Sequence, residues 1–182
     1  MTTLIVVERP ENWPLEIPDA QVVTASDYLT DPRFAELKRA KVFNLCRSYA
    51  YQTAGYYVSL LAEAREHRPL PSVTTTQDLR QSSLVRSASE TTELLVQQTL
   101  APIKSDRFVL SIYFGRNMAK RYDRLCRALF NHFPAPLLRA EFVRASQWRL
   151  DDLHVIAAHE IPESHREFVI EQAIRFFRRP CL

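Results

Sequence analysis

Lys41-Val-Phe-Asn-Leu-Cys-Arg-Ser-Tyr-Ala-Tyr-Gln-Thr-Ala-Gly-Tyr-Tyr-Val-Ser-Leu-Leu-Ala-Glu-Ala-Arg-Glu66 is the stretch that decides the fold. Lys41 to Cys46 is apolar enough for a strand at the centre of a sheet. Tyr56 to Glu66 is rich in helix formers and sets Tyr57, Leu60, Leu61 and Ala64 on one face. Polar residues and one glycine separate the two. A strand feeding a helix through a short junction is the unit of a sheet with helices packed on it.

The alternation extends both ways along the chain. Leu4 to Val7 is a β-branched run ended by Pro10, and Gln21 to Thr24 reads as a second strand. Asp27 to Leu29 reads as a turn. Asp31-Pro32 then sets a helix start, aspartate as N-cap and proline in the first position, and that helix runs to about Arg39. His67 to Val73 returns as a short proline-bounded strand. Thr76 to about Leu100 is helical, with a serine-rich break near Arg86 to Glu90. Phe108 to Phe114 is the clearest strand of all. Asn117 to His132 is helical, with Met118, Tyr122, Leu125, Leu129 and Phe133 as its apolar stripe.

Leu137 to Arg144 and Trp148 to Ala157 alternate as antiparallel strands around a tight Ser146-Gln147 turn. Ser164 and Glu167 form a capping box for a last helix ending in Arg175, Arg178, Arg179 and Pro180. This order predicts one domain over residues 1–182, of α/β or alternatively α+β class. The expected architecture is a mixed sheet with helices packed on it, ending in a β-hairpin and a C-terminal helix. The strands near 3–8, 41–46 and 107–114 are expected in one sheet.

Composition narrows the function classes. No run of about 18 apolar residues occurs, so a membrane span is not expected. The N-terminus lacks the basic and apolar regions of a signal peptide, and Cys46, Cys126 and Cys181 are widely spaced and odd in number. Reduced thiols in a cytoplasmic protein are the expectation. The formal charge is only +3, although 20 of the 24 basic residues are arginine. That excess is too small to predict a nucleic-acid partner.

The chain holds only two glycines, Gly55 and Gly115, where about a dozen would be usual at ~7%. Glycine is required where φ is positive or where another group approaches the backbone closely. Each follows an apolar run and precedes a helical pattern, so these junctions are the best candidates for a site. Arg47, Ser48 and Tyr49 lie at the carboxyl end of one strand, before Gly55 and Tyr56; Arg116 and Lys120 follow Gly115 at the end of another. Strand ends facing helix N-termini are where open α/β sheets bind ligands, and arginine there holds a carboxylate or phosphate bidentately. Arg47 and Arg116 are therefore expected to converge on one anion pocket. Arg116, Lys120, Arg124 and Arg127 also form a basic stripe at helical spacing, by default a solvated face.

Catalytic signals are sparse. Cys46 is a candidate nucleophile at a strand end beside Arg47, against the simpler reading of a buried small thiol. Its enzyme reading needs a base, and no motif surrounds any of the five histidines. No Cys or His pair has metal-ligand spacing, and no glycine-rich phosphate loop exists. No metal site is expected.

Several segments together resemble the RimK-like ATP-grasp N-terminal domain family. They are Val22-Val-Thr-Ala-Ser-Asp-Tyr-Leu29, Val42-Phe-Asn-Leu-Cys-Arg-Ser-Tyr49, Tyr56-Tyr-Val-Ser-Leu-Leu-Ala-Glu-Ala-Arg65, His67-Arg-Pro-Leu-Pro-Ser72, Pro102-Ile-Lys-Ser105 and Ser111-Ile-Tyr-Phe-Gly-Arg116 with Ala119-Lys-Arg-Tyr-Asp123. The match is collinear from about Leu4 to Phe177. The resemblance implies an ATP-grasp ligase module as partner, fused or encoded nearby, that joins a carboxylate to an amine through an acyl-phosphate. ATP and Mg²⁺ are implied for that module alone, and no catalytic residues transfer to this chain. The sequence reaches Leu182 just where such a module would begin, which leaves open a piece of a longer protein, a split partner or a stand-alone relative. The leading expectation is a non-catalytic recognition or docking domain of an amino acid or peptide ligase, itself taking an anionic small molecule, amino acid or peptide. The alternatives are a cysteine-dependent transferase or amidase using Cys46, or an anion-binding module.

Overall fold

A computed structural model describes residues 1–178; Arg179, Pro180 and Cys181 lie outside the described residues. The fold is mixed α/β. Its parallel and antiparallel strands occupy two separate sheets, so the strand at 107–113 does not join those at 3–7 and 41–44.

The first sheet holds β1 (Thr3–Val7), β2 (Ala20–Thr24), β3 (Lys41–Asn44) and β4 (Arg68–Leu70), all parallel in the order β2-β1-β3-β4. Its central strands are apolar on both faces because both faces are covered. Leu4, Val6 and Val42 pack with Tyr28, Val58 and Ala62 under α1 (Ala25–Thr30), α2 (Pro32–Ala35) and α3 (Ala54–Ala64). Ile5, Val7, Phe43 and Leu45 face the other way, onto Trp13, Leu15 and Ile17 and a late helix. Burying Leu4 to Val7 completely contributes roughly 6–12 kcal/mol before entropy.

After α4 (Val73–Asp78) and α5 (Ser82–Leu100), the second sheet is an antiparallel meander. It comprises β5 (Arg107–Tyr113), β6 (Leu137–Arg144) and β7 (Trp148–Val155), in that order, with α6 (Asp123–His132) entered between β5 and β6. One face packs Leu110, Ile112, Ala140, Phe142 and Leu153 on α5 and α6. The last helix, α7 (Arg166–Phe177), packs Val169, Ala173 and Phe177 against Phe43, Phe114 and Leu137, which ties the two sheets together.

Local differences from the sequence reading have local causes. Asp27 to Leu29 is helix, because Thr24 caps α1 by accepting from the Asp27 N–H at 3.0 Å. The helix begun at Pro32 closes by Ala35 rather than Arg39. The helical break falls at Leu79 to Gln81, and Arg86 to Glu90 continues α5. In α3 the buried face is Gly55, Val58, Ser59 and Ala62, and Tyr57 and Leu60 are exposed. Small residues let α3 approach β3 closely. The Ser164–Glu167 box does not form; α7 begins at Arg166 after a short 3-10 turn.

Candidate functional site

The order β2-β1-β3-β4 places a topological switch point between β1 and β3: β1 connects outward to β2 and β3 the other way to β4. Ligands of open parallel sheets bind beyond the carboxyl ends of such strands. Here those ends supply Glu8 and Arg9 from β1, and Leu45 to Arg47 from β3, whose Leu45 N–H still bonds Val6 O at 2.8 Å. A cavity of about 400 Å³ lies at this crevice, lined by Glu8, Arg9, Glu11, Asn12 and Arg47. Arg47 also lines a second cavity, of about 240 Å³, with Ser48, Tyr49, Thr76, Arg80 and His154 among its walls. That cavity sits where the edge of the second sheet meets the end of the first.

The crevice carries both charge signs. Glu8 Oε1 accepts from the Arg47 backbone N–H at 2.7 Å, and its Oε2 accepts from Asn12 Nδ2 at 3.4 Å. The Arg47 side chain donates once, from Nη2 to Asn12 Oδ1 at 3.3 Å. A guanidinium has five N–H donors in a fixed fork, so most of its capacity has no partner among the described residues.

A buried network sets this geometry. Asn44, fully buried at the end of β3, donates from Nδ2 to Gly55 O at 2.7 Å and Ser59 Oγ at 2.9 Å, and its Oδ1 accepts from Cys46 N–H at 3.3 Å. Ser59 Oγ donates to Pro71 O at 2.8 Å, and Tyr49 OH donates back to Asn44 O. Three chain segments are thereby fixed behind Arg47. Asn44 and Glu8 are the residues that motif reasoning passed over. The signal for Glu8 was its place directly after the β-branched run; Asn44 was the lone polar residue inside an apolar strand.

The two glycines answer different needs. A Cβ on Gly55 would strike the Ser48 carbonyl oxygen and come within 2.8 Å of Cys46 Cβ, so close packing fixes glycine there. The same Ser48 carbonyl, held by Thr53 Oγ1 at 3.0 Å, covers the first turn of α3. Gly55 and Tyr56 line neither cavity; Arg47, Ser48 and Tyr49 do. Gly115 has φ of 78° in a tight turn against Phe130.

Arg116 shares neither of Arg47's cavities. It lies in the turn after β5 and pairs through Nη1 with Asp123 Oδ2 at 2.6 Å. Lys120 begins a 3-10 turn before α6, so Arg116 and Lys120 share no helical face with Arg124 and Arg127. Neither of these cavities is the convergent pocket expected of Arg47 and Arg116, whose strands belong to different sheets.

Cys46 is buried in the core beneath α3. Burial pushes its thiol far above the ordinary range, and the Glu8 carboxylate adds to the rise. Such a group is held as the neutral thiol, the opposite of an activated nucleophile. Cys126 is raised in the same way. His67 is occupied by Tyr28 OH and Leu37 O, and His165 by Tyr113 OH. Glu141, Asp152 and His154, on adjacent strands of the second sheet, bring one potential metal-ligand atom each within 4.8 Å of one another, a grouping that sequence spacing did not show. His154 Nδ1 is already bonded to Asp152 Oδ2 at 2.8 Å. No described helix is long and apolar enough to cross a membrane.

The family model for the RimK-like ATPgrasp N-terminal domain matches residues 25–172. No curated protein matches the chain. The chain belongs to the RimK-like ATP-grasp N-terminal domain family.

Proposed function

We propose that this family member is a non-catalytic recognition domain for an associated ATP-grasp carboxylate–amine ligase. In this reading it holds an α-amino acid, or the equivalent end of a peptide, at the crevice between β1 and β3. The observation that carries the reading is the charge make-up of that crevice, where Arg9 and Arg47 line one cavity together with Glu8 and Glu11. A zwitterion bearing a carboxylate and an ammonium group matches both signs at once; a simple anion matches one. ATP and Mg²⁺ belong to the associated module in this reading. Neither glycine here opens a backbone cradle for phosphates, since one lies under the Ser48 carbonyl and the other against Phe130.

The test is isothermal titration of the purified chain with α-amino acids, with the matching amines that lack the carboxylate, and with the matching acids that lack the amine. Amino acids should bind more tightly than either stripped analogue. Arg47→Ala should weaken that binding by about 1.5–3 kcal/mol, the scale of a hydrogen bond to a charged group. Binding that is indifferent to Arg47, or equal for the stripped analogues, would refute the reading.

A further inference from the structure

Arg47 shares its 240 Å³ cavity with a second arginine, Arg80, in place of the Arg116 that its sequence position suggested. Three separate parts of the fold build the walls. Arg47 and Ser48 come from the loop after β3, Leu79 and Arg80 from the turn after α4, and His154 and Val155 from the end of β7. The turn is set by its own backbone: Leu79 N–H donates to Thr75 O and Arg80 N–H to Gln77 O, both at 3.1 Å. Arg80 therefore stands at a fixed step between α4 and α5.

Among the described residues no carboxylate lines this cavity. The Arg80 side chain has no hydrogen bond or ion pair among them, and Arg47 commits one of its five donors, to Asn12 Oδ1. Ser48 Oγ accepts from the Ala50 N–H at 3.2 Å, and its own hydroxyl proton is free to turn to a ligand. The carboxylate of Asp152 belongs to the neighbouring cavity, which Arg80 also lines, and gives one oxygen to His154 Nδ1 at 2.8 Å. That bond steadies the imidazole in the wall and leaves Arg80 without an ion pair. Two guanidinium groups on one cavity repel each other unless an anion joins them. A carboxylate or phosphate does so through paired N–H···O bonds, a geometry that the planar fork of arginine matches.

We propose that this cavity is a binding site for a compact, doubly charged oxyanion, a phosphate or a dicarboxylate, held between Arg47 and Arg80. Ser48 adds a hydroxyl donor, and the half-buried Leu79 and Val155 give the wall an apolar part. The volume, below the ~300–1,000 Å³ of drug-sized pockets, limits the occupant to a small molecule. This site goes beyond the amino-acid reading: Arg80 lines no part of the switch-point crevice, and the two cavities share only Arg47 among their lining residues.

The probes are inorganic phosphate, succinate, and the monoamide and diamide of succinate. Each is titrated into the ¹⁵N-labelled chain at constant ionic strength in mildly alkaline buffer, where phosphate carries two charges. At least one dianion should shift the amides of Ser48, Ala50, Leu79 and Arg80, with a dissociation constant of about 1 mM or below. The tighter of phosphate and succinate identifies the oxyanion. The monoamide should bind about tenfold more weakly than succinate, and the diamide not at all. Arg80→Gln should weaken the dianion about tenfold. Arg124→Gln, which removes the same charge from an exposed position on α6, should leave binding unchanged. Arg80 is exposed and unpaired, so its variant keeps the fold, and a circular dichroism spectrum verifies this. Failure of both dianions to saturate, shifts that map elsewhere, equal binding of succinate and its amides, or equal effects of the two variants would overturn the proposal. Amino-acid binding at the crevice, measured on the same Arg80→Gln chain, should keep its full strength, so that reading stands or falls separately.

Discussion

Replacing Asn44 by alanine should unlock the carboxyl end of β3, and the size of the effect follows from its three partners. Its two N–H groups serve Gly55 O and Ser59 Oγ, and its oxygen takes the Cys46 N–H, all at a fully buried position. Gly55 O keeps its bond within α3, so losing that contact costs about 1 kcal/mol, and the Ser59 contact costs about the same. Cys46 N–H has no other partner in the core and loses its only acceptor, a further ~1–2 kcal/mol. The expected loss is about 3–4 kcal/mol, a large share of the 5–15 kcal/mol that typically stabilises a domain. Urea unfolding followed by far-UV circular dichroism measures it, with an unchanged m-value as the sign that only stability moved. Ser59→Ala alone should cost ~1–3 kcal/mol by stranding the Asn44 donor and Pro71 O. The double variant should cost less than the sum, because both lesions break one network. A loss under about 1 kcal/mol for Asn44→Ala, or strict additivity with Ser59→Ala, would refute the network as the element that sets the crevice.

Three further outcomes test the surrounding geometry. Gly55→Ala should destabilise by about 1–3 kcal/mol although alanine favours helix by about 1 kcal/mol, since the new methyl meets the Ser48 carbonyl; a thermal melt that rises instead would contradict the packing. Burial raises both Cys46 and Cys126 above the ordinary thiol value of 9.0, so the folded chain binds protons that the unfolded chain releases at high pH. Stability should therefore be full below that value and fall as pH rises above it, by about 1.4 kcal/mol per unit and thiol, and Cys46→Ala with Cys126→Ala should flatten the slope in urea melts. Arg116→Ala should cost about 1 kcal/mol of stability through Asp123 and leave ligand binding at the crevice unchanged, whereas Arg47→Ala should do the reverse; titration and melting of both variants decide it.

Strand and helix signals with strong periodicity were legible in the sequence, and the second half of the chain shows why more was not. The runs at Leu4, Lys41, Phe108, Leu137 and Trp148 all became strands. Their division between two sheets depends on α5 and α6 covering one face of the meander, and local pattern carries no record of that. The α3 face was misread for a related reason: hydrophobicity points to Tyr57 and Leu60, yet closeness to β3 selects Gly55, Val58, Ser59 and Ala62. At the site, Arg47 was visible as a charge at a strand end, and the structure places it at two cavities. Arg116 carried the same signal but sits in a turn paired to Asp123. Sequence position could not separate the two, because the difference lies in which sheet each strand joins.

The arrangement places Arg47 where two cavities meet the end of the first sheet. Its backbone is held by Glu8 from β1, its loop by Asn44 from β3, and its side chain opens on cavities bounded by both sheets. The loop carrying it is anchored where the chain must be precise, since Asn44, Ser59 and Tyr49 are buried and hydrogen-bonded, while Arg47 and Ser48 are exposed. Such a loop presents a charge at a fixed place without spending a flexible side chain's entropy at every residue. Recognition, on this geometry, comes from a rigid buried network that aims one arginine, and the deep thiol beside it belongs to the packing that keeps the aim.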